Sequence, residues 1–173
     1  HAVVHDHDHL LWYGAFGLVP RWVTPLTLDM IGRFGTELRG QLGEELERFT
    51  GEHFAQVQAL TSDRIPEPYG TEGPDEEIIV IEHNGHAYGH AALWFPERKL
   101  LVAGDMLSDL ELPLPFNPHG LEAYLPALDT LAPYVAQAKW LIPGHGTPTG
   151  QPLKRLEADR WVLDELLRGE DVN

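Results

Sequence analysis

Cysteine is missing from all 173 residues. That absence removes disulfides, thiolate zinc sites and thiol nucleophiles, so a metal here must be held by His, Asp and Glu. Long apolar runs are missing too: stretches such as Leu100 to Ala103 are far too short to span a bilayer. No charged-then-apolar leader with a small-residue cleavage site is present, so no secretory signal is expected and the cytoplasm is the default location. Basic residues are scarce. Twelve Lys and Arg stand against 27 Asp and Glu, for a formal charge of −15. Such a chain repels phosphate backbones, and its cations are scattered, so nucleic acid is not an expected partner. No membrane partner is expected either.

What is present fits one globular domain over residues 1–173. The length supports a core, and a hydrophobic content of 43% argues against disorder. Ala2 to Val4 reads as a strand end, and Arg21 to Thr24 as a short strand. Thr24-Pro25 is a good helix start, with a capping hydroxyl before a first-turn proline. Residues 26–60 are helical in pattern, with glycines at 32, 35, 40, 43 and 51 expected to divide them into shorter helices. Residues 61–76 read as a loop. The pattern then becomes β-like: Glu77 to Glu82, Ala91 to Phe95 and Leu100 to Ala103 form an expected meander. A helix is expected from Gly120 to Ala138, a last strand at Trp140 to Ile142, and a closing helix from Pro152 to Arg168. Leu153, Leu156, Trp161, Leu163, Leu166 and Leu167 supply that helix's apolar residues.

Four polar clusters follow β-like runs. They are His5-Asp6-His7-Asp8-His9, the stretch from His83 to His90, Gly104-Asp105, and Pro143-Gly144-His145-Gly146. Sites in layered α/β folds collect at strand ends, where loops converge on a rigid scaffold. Neutral imidazoles with carboxylates suit zinc, iron or manganese. Taken singly, each of these residues has a plainer reading: a surface His, a capping Asp, a turn glycine. Their joint order carries the weight.

That order resembles the metallo-β-lactamase superfamily, whose first motif is His-x-His-x-Asp-His, followed by Gly-His, Gly-Asp and Gly-His elements. Gly89-His90-Ala91-Ala92-Leu93 looks like the second element, with Gly85-His86 as an extra Gly-His before it. Leu101 to Asp105 looks like the third and Pro143 to Gly146 the fourth. The resemblance implies a four-layer αββα sandwich with a helical insert at roughly residues 25–75. It implies two ions, most simply zinc, with iron or manganese as alternatives. His90 would join His5 and His7 on one ion, and Asp105 would bridge the two. His145 would complete the second with Asp8 and His9. His86 would sit behind the ligands and orient them. His83 and His119 read as surface or structural residues.

The first motif is one residue shorter than the family pattern. Aligned from its left end it keeps His5 and His7; aligned from its right end it keeps Asp8 and His9; a deletion between His7 and Asp8 would keep all four. The family's first strands, which normally precede this motif, are not in this sequence, which reads as a fragment, a natural truncation or a partial record; were they truly absent, a sheet face would be uncovered and homodimerisation would be an option. Trp22, Phe34, Phe49 and Phe54 are candidates for an apolar pocket, though core packing is the commoner role.

The function so implied is a metal-dependent hydrolase. A metal-bound hydroxide would attack an ester, thioester, lactone or amide of a small-molecule substrate. Asp8 would orient the nucleophile or take its proton, and Tyr88 would donate to the oxyanion. Two alternatives stand beside it. One is a mononuclear iron member of the same fold, performing dioxygen chemistry. The other is a degenerate member that binds metal or a partner without turnover. Likeness of fold does not choose a substrate.

Overall fold

The structure, a computed structural model, describes residues 21–40, 55–65, 77–115 and 120–169. Among the described residues, nine elements run in order: β1 (Trp22–Val23), α1 (Pro25–Gly40), β2 (Gln58–Ala59), β3 (Ile79–His83), β4 (His90–Phe95), β5 (Leu100–Gly104), α2 (Leu121–Val135), β6 (Trp140–Pro143) and α3 (Pro152–Arg168). The meander expected from the β-branched and aromatic runs is present. β3 pairs antiparallel with β4, and β4 antiparallel with β5. β6 then adds parallel to β5, a pairing that needs the long crossover provided by α2.

Directions follow from these pairings. β3, β5 and β6 all run the same way, so their C-terminal ends, and the N-terminal end of β4, share one edge of the sheet. Three of the four polar clusters read from the sequence sit there. The fourth, at residues 5–9, lies outside the described residues, as does His119.

Side-chain alternation sorts the layers. One face of the sheet presents Ile81, Ala92, Trp94, Leu101, Ala103 and Leu141 to Leu128, Leu131 and Val135 of α2 and to Leu156 and Leu163 of α3. The other face presents Val80 and Ala91 to Leu60, with Trp22 of β1 against them. Trp22 thus faces the sheet, while its neighbour Val23 packs with Ile31 of α1. Helices α2 and α3, the four-stranded sheet, the β1–β2 pair and α1 therefore stack in an αββα order.

Two expectations change. Helix α1 runs unbroken through Gly32 and Gly35, because Thr24 caps its start and tertiary contacts anchor it. The Thr24 Oγ1 atom accepts from Thr27 N at 3.2 Å and donates to the Gly89 carbonyl at 2.6 Å, while Thr27 Oγ1 donates to the same carbonyl at 2.8 Å. Leu26 N donates to the Glu82 carboxylate. Helix stability of this kind outweighs the roughly 1 kcal/mol that each interior glycine costs. The second change is on α3. Leu153, Trp161 and Leu167 are about half exposed. The buried stripe is Leu156, Asp159 and Leu163, at spacings of three and four, with a carboxylate in its middle. Phe34 is half exposed and Trp22 is packed against the sheet, while Phe49 and Phe54 lie outside the described residues.

Candidate functional site

Asp105 is the centre of the shared edge. It follows β5, and its side chain is 9% exposed. His86, in the β3–β4 turn, points its Nε2 at Asp105 Oδ2 from 3.7 Å. His145, just after β6, points its Nε2 at Asp105 Oδ1 from 3.6 Å. Two imidazoles from two different strand ends thus flank one carboxylate. Glu111 stands on the other side of His145, with Oε1 3.8 Å from Nδ1.

His90 is placed differently. It is the first residue of β4 and fully buried. Its Nε2 accepts the Asp105 backbone N–H at 3.2 Å, and its Nδ1 lies 3.3 Å from Nε2 of His83, its partner across the sheet. Both ring nitrogens are therefore engaged inside the fold. The sequence reading assigned His90 to the ion and put His86 behind it; in the structure the Nε2 facing Asp105 is that of His86, and His90 supports the Asp105 backbone. Period-2 alternation carried the signal. His90 is in phase with Ala92 and Trp94, which face the helices. His83 is likewise buried, and burial, helped by the nearby His86, lowers its pKa to about 4, so it is neutral.

The backbone of this edge is shaped for close approach. Gly104 has φ +58°, and a Cβ there would run into the His90 ring. A Cβ on Gly144 would collide with Asp105 Oδ1. The two glycines let β5 and β6 come together around the carboxylate, and Gly144 N donates to the Gly104 carbonyl at 2.7 Å.

The loops beyond Asp105 and His145 are tied to each other. Ser108 Oγ donates to the His145 carbonyl at 2.7 Å and accepts from the amides of Leu110 and Glu111. Asp109 accepts the Thr147 amide at 2.8 Å and pairs with Arg155 of α3 at 2.7 Å.

Solved structures share this architecture. The chain is similar to a β-lactamase domain protein from Burkholderia ambifaria, with a TM-score of 0.67 at 19% identity, over 97% of this chain and 55% of that one. A metallo-β-lactamase family protein from Thermus thermophilus gives a TM-score of 0.67 at 23% identity, over 96% and 61%. A metallo-β-lactamase from Erythrobacter litoralis, solved with β-mercaptoethanol in its active site, gives 0.61 at 16%, over 95% and 67%.

The chain has the metallo-β-lactamase fold.

It spans a little over half the length of the first two of these proteins. No family model matches the sequence, and no curated protein matches it. Within the metallo-β-lactamase fold, the described residues supply part of a candidate metal centre. Among them, no three His, Asp or Glu side chains converge closely enough to hold an ion. His5, His7, Asp8 and His9 lie outside the described residues. Tyr88 is half-buried in the β3–β4 turn between His86 and His90. No described helix is long and apolar enough to cross a membrane.

Proposed function

We propose that this chain is a metal-dependent hydrolase acting on an ester, thioester, lactone or amide carbonyl of a small-molecule substrate. The observation that carries this reading is the arrangement of His86 and His145 on either side of Asp105. Two imidazoles and a carboxylate form a donor set suited to zinc, iron or manganese. The space that a Cβ on Gly144 would fill, against Asp105 Oδ1, keeps that carboxylate approachable. In this reading His86, Asp105 and His145 are ligands, and the cluster His5, His7, Asp8 and His9 supplies the remainder.

A bound ion supplies Lewis acidity, which activates water at neutral pH and polarises the carbonyl. The chain's own groups do the rest. Asp105, nearly buried, has its amide held by His90, so the carboxylate keeps its direction. Glu111 stands 3.8 Å from Nδ1 of His145, where it can steady the ring through that nitrogen. His145 is half exposed, which leaves the site open to solvent and substrate on that side. Asp8 is the group proposed to hold or take the proton of the attacking water, and Tyr88 to donate to the oxyanion.

The test is elemental analysis of protein purified without a histidine tag, followed by a panel of ester, thioester and lactone substrates. About two zinc, manganese or iron ions per chain, with hydrolysis lost on chelation and in Asp105→Ala, is the expected result. Folded protein that takes up no added metal sinks the proposal. A single iron with no hydrolysis would point to dioxygen chemistry instead.

A further inference from the structure

The least expected residue in the core is Asp159. It lies on the buried stripe of α3 between Leu156 and Leu163, where an apolar residue would be the ordinary choice, and is 5% exposed. Burying a carboxylate is costly unless it receives hydrogen bonds. Asp159 Oδ2 receives one from the amide of Leu107 at 3.2 Å, across 52 residues of sequence.

Leu107 is itself unusual. Its φ is +59°, a left-handed conformation that a non-glycine side chain adopts only when its surroundings hold it. Its side chain is fully buried in the core between sheet and helices. It lies two residues after Asp105, so its reversed turn redirects the chain immediately beyond that carboxylate. One helical turn before Asp159, Arg155 holds Asp109 in the same loop and reaches the Thr147 carbonyl at 3.4 Å, beyond His145. One face of α3 therefore grips both loops of the candidate site.

We propose that Asp159 is a positioning residue: by accepting the Leu107 amide it fixes the left-handed turn that aims the Asp105 carboxylate, and so sets the affinity of the metal site. This rests on the proposed metal-binding reading of Asp105. Its requirement is an acceptor at this position, so asparagine, which keeps a carbonyl oxygen, replaces the carboxylate and leucine does not.

The test compares Asp159→Asn and Asp159→Leu in the 173-residue chain. Amide hydrogen exchange at Leu107, followed by NMR in metal-free protein, reads the turn. Titration with cobalt(II), followed by its visible spectrum and chelator competition, reads the site. In D159L, Leu107 exchange rises and cobalt affinity falls by about tenfold or more, with altered bands, whereas D159N stays within about threefold of the parent on both. Folded D159L with parental exchange, or with parental cobalt binding and spectrum, overturns the proposal. So does D159N if it loses cobalt to a similar degree, and that arm stands even if D159L does not fold. A parent chain that binds no cobalt would sink the metal reading, and Leu107 exchange would then still decide whether Asp159 holds the turn.

Discussion

His86 Nε2 lies 3.7 Å from Asp105 Oδ2, while Nε2 of His90, four residues later, accepts the Asp105 amide. The two histidines follow identical-looking Gly-His steps but meet different atoms of Asp105. His86→Ala should weaken zinc or cobalt binding by about a hundredfold with little change in melting temperature. His90→Ala should do the opposite first: loss of a fully buried ring and its hydrogen bonds costs on the order of 3 kcal/mol of stability. Chelator competition and urea unfolding on both variants check this. Equal metal affinity for H86A and the parent would remove His86 from the ligand set.

Gly144→Ala separates site geometry from folding. The new methyl collides first with Asp105 Oδ1 and also crowds the Gly104 backbone at 3.2–3.3 Å, so the carboxylate must turn away. Metal uptake should drop by about tenfold or more, with an unfolding free energy within about 1 kcal/mol of the parent. Gly104→Ala meets the buried His90 ring and a φ of +58°, and should lose on the order of 2 kcal/mol or more. Isothermal titration and denaturant curves distinguish the two.

Stability should depend on Asp159 and pH in a defined direction. Burial pushes its pKa up to about 7, against the pull of the Leu107 amide and Arg155. Tyr124 of α2 also faces it, and its own pKa is raised by burial and then by Asp159. A raised folded pKa means that the folded state holds a proton that the unfolded chain releases. Its stabilising contribution is complete below pH 3.8 and is lost as pH rises to about 7. The loss is on the order of 4 kcal/mol at most. Asp159→Asn cannot titrate, so its unfolding free energy minus that of the parent should grow from about pH 4 to about pH 7 and then level off. A pH-independent difference would contradict the assignment.

The docking of α1 makes a test of shared hydrogen bonding. Thr24 and Thr27 both donate to the Gly89 carbonyl, at the end of the turn that carries His86. Thr27→Val leaves that carbonyl one donor and should cost about 1 kcal/mol. The double variant T24V/T27V leaves it unpaired and also loses the helix cap, so it should cost roughly 3 kcal/mol, more than the two single losses combined. A double-mutant cycle by urea unfolding measures the excess.

Much of this was legible before any coordinates. Ile78 to Ile81 and Ala91 to Phe95 read as strands because β-branched and aromatic runs between turn residues have few other solutions. The Gly-Asp and Gly-His steps after strands marked Asp105 and His145, which the structure brings within 3.6 Å. Choosing between His86 and His90 was harder, since it depends on the residue at which β4 begins and on which face that residue then occupies. Asp159 went unnoticed because a charged residue on a helix is usually solvated, although its phase with Leu156 and Leu163 placed it inward. Glu111 had no local signal at all. It meets His145 only because Ser108 and Asp109 fold their loop against Thr147 and Arg155.

By itself, the sequence determined the elements and the chemistry available to them. Periodicity and turn residues act over a few positions, and the lack of cysteine restricts metal ligands to His, Asp and Glu wherever the chain goes. Tertiary structure alone decided which nitrogen faces which carboxylate. Rotation of a side chain toward Asp105 or into the core depends on strand pairing between residues up to dozens of positions apart, and on an α3 carboxylate 52 residues from the amide it holds. No local preference encodes those distances, because they arise from closing the sheet and burying its faces together.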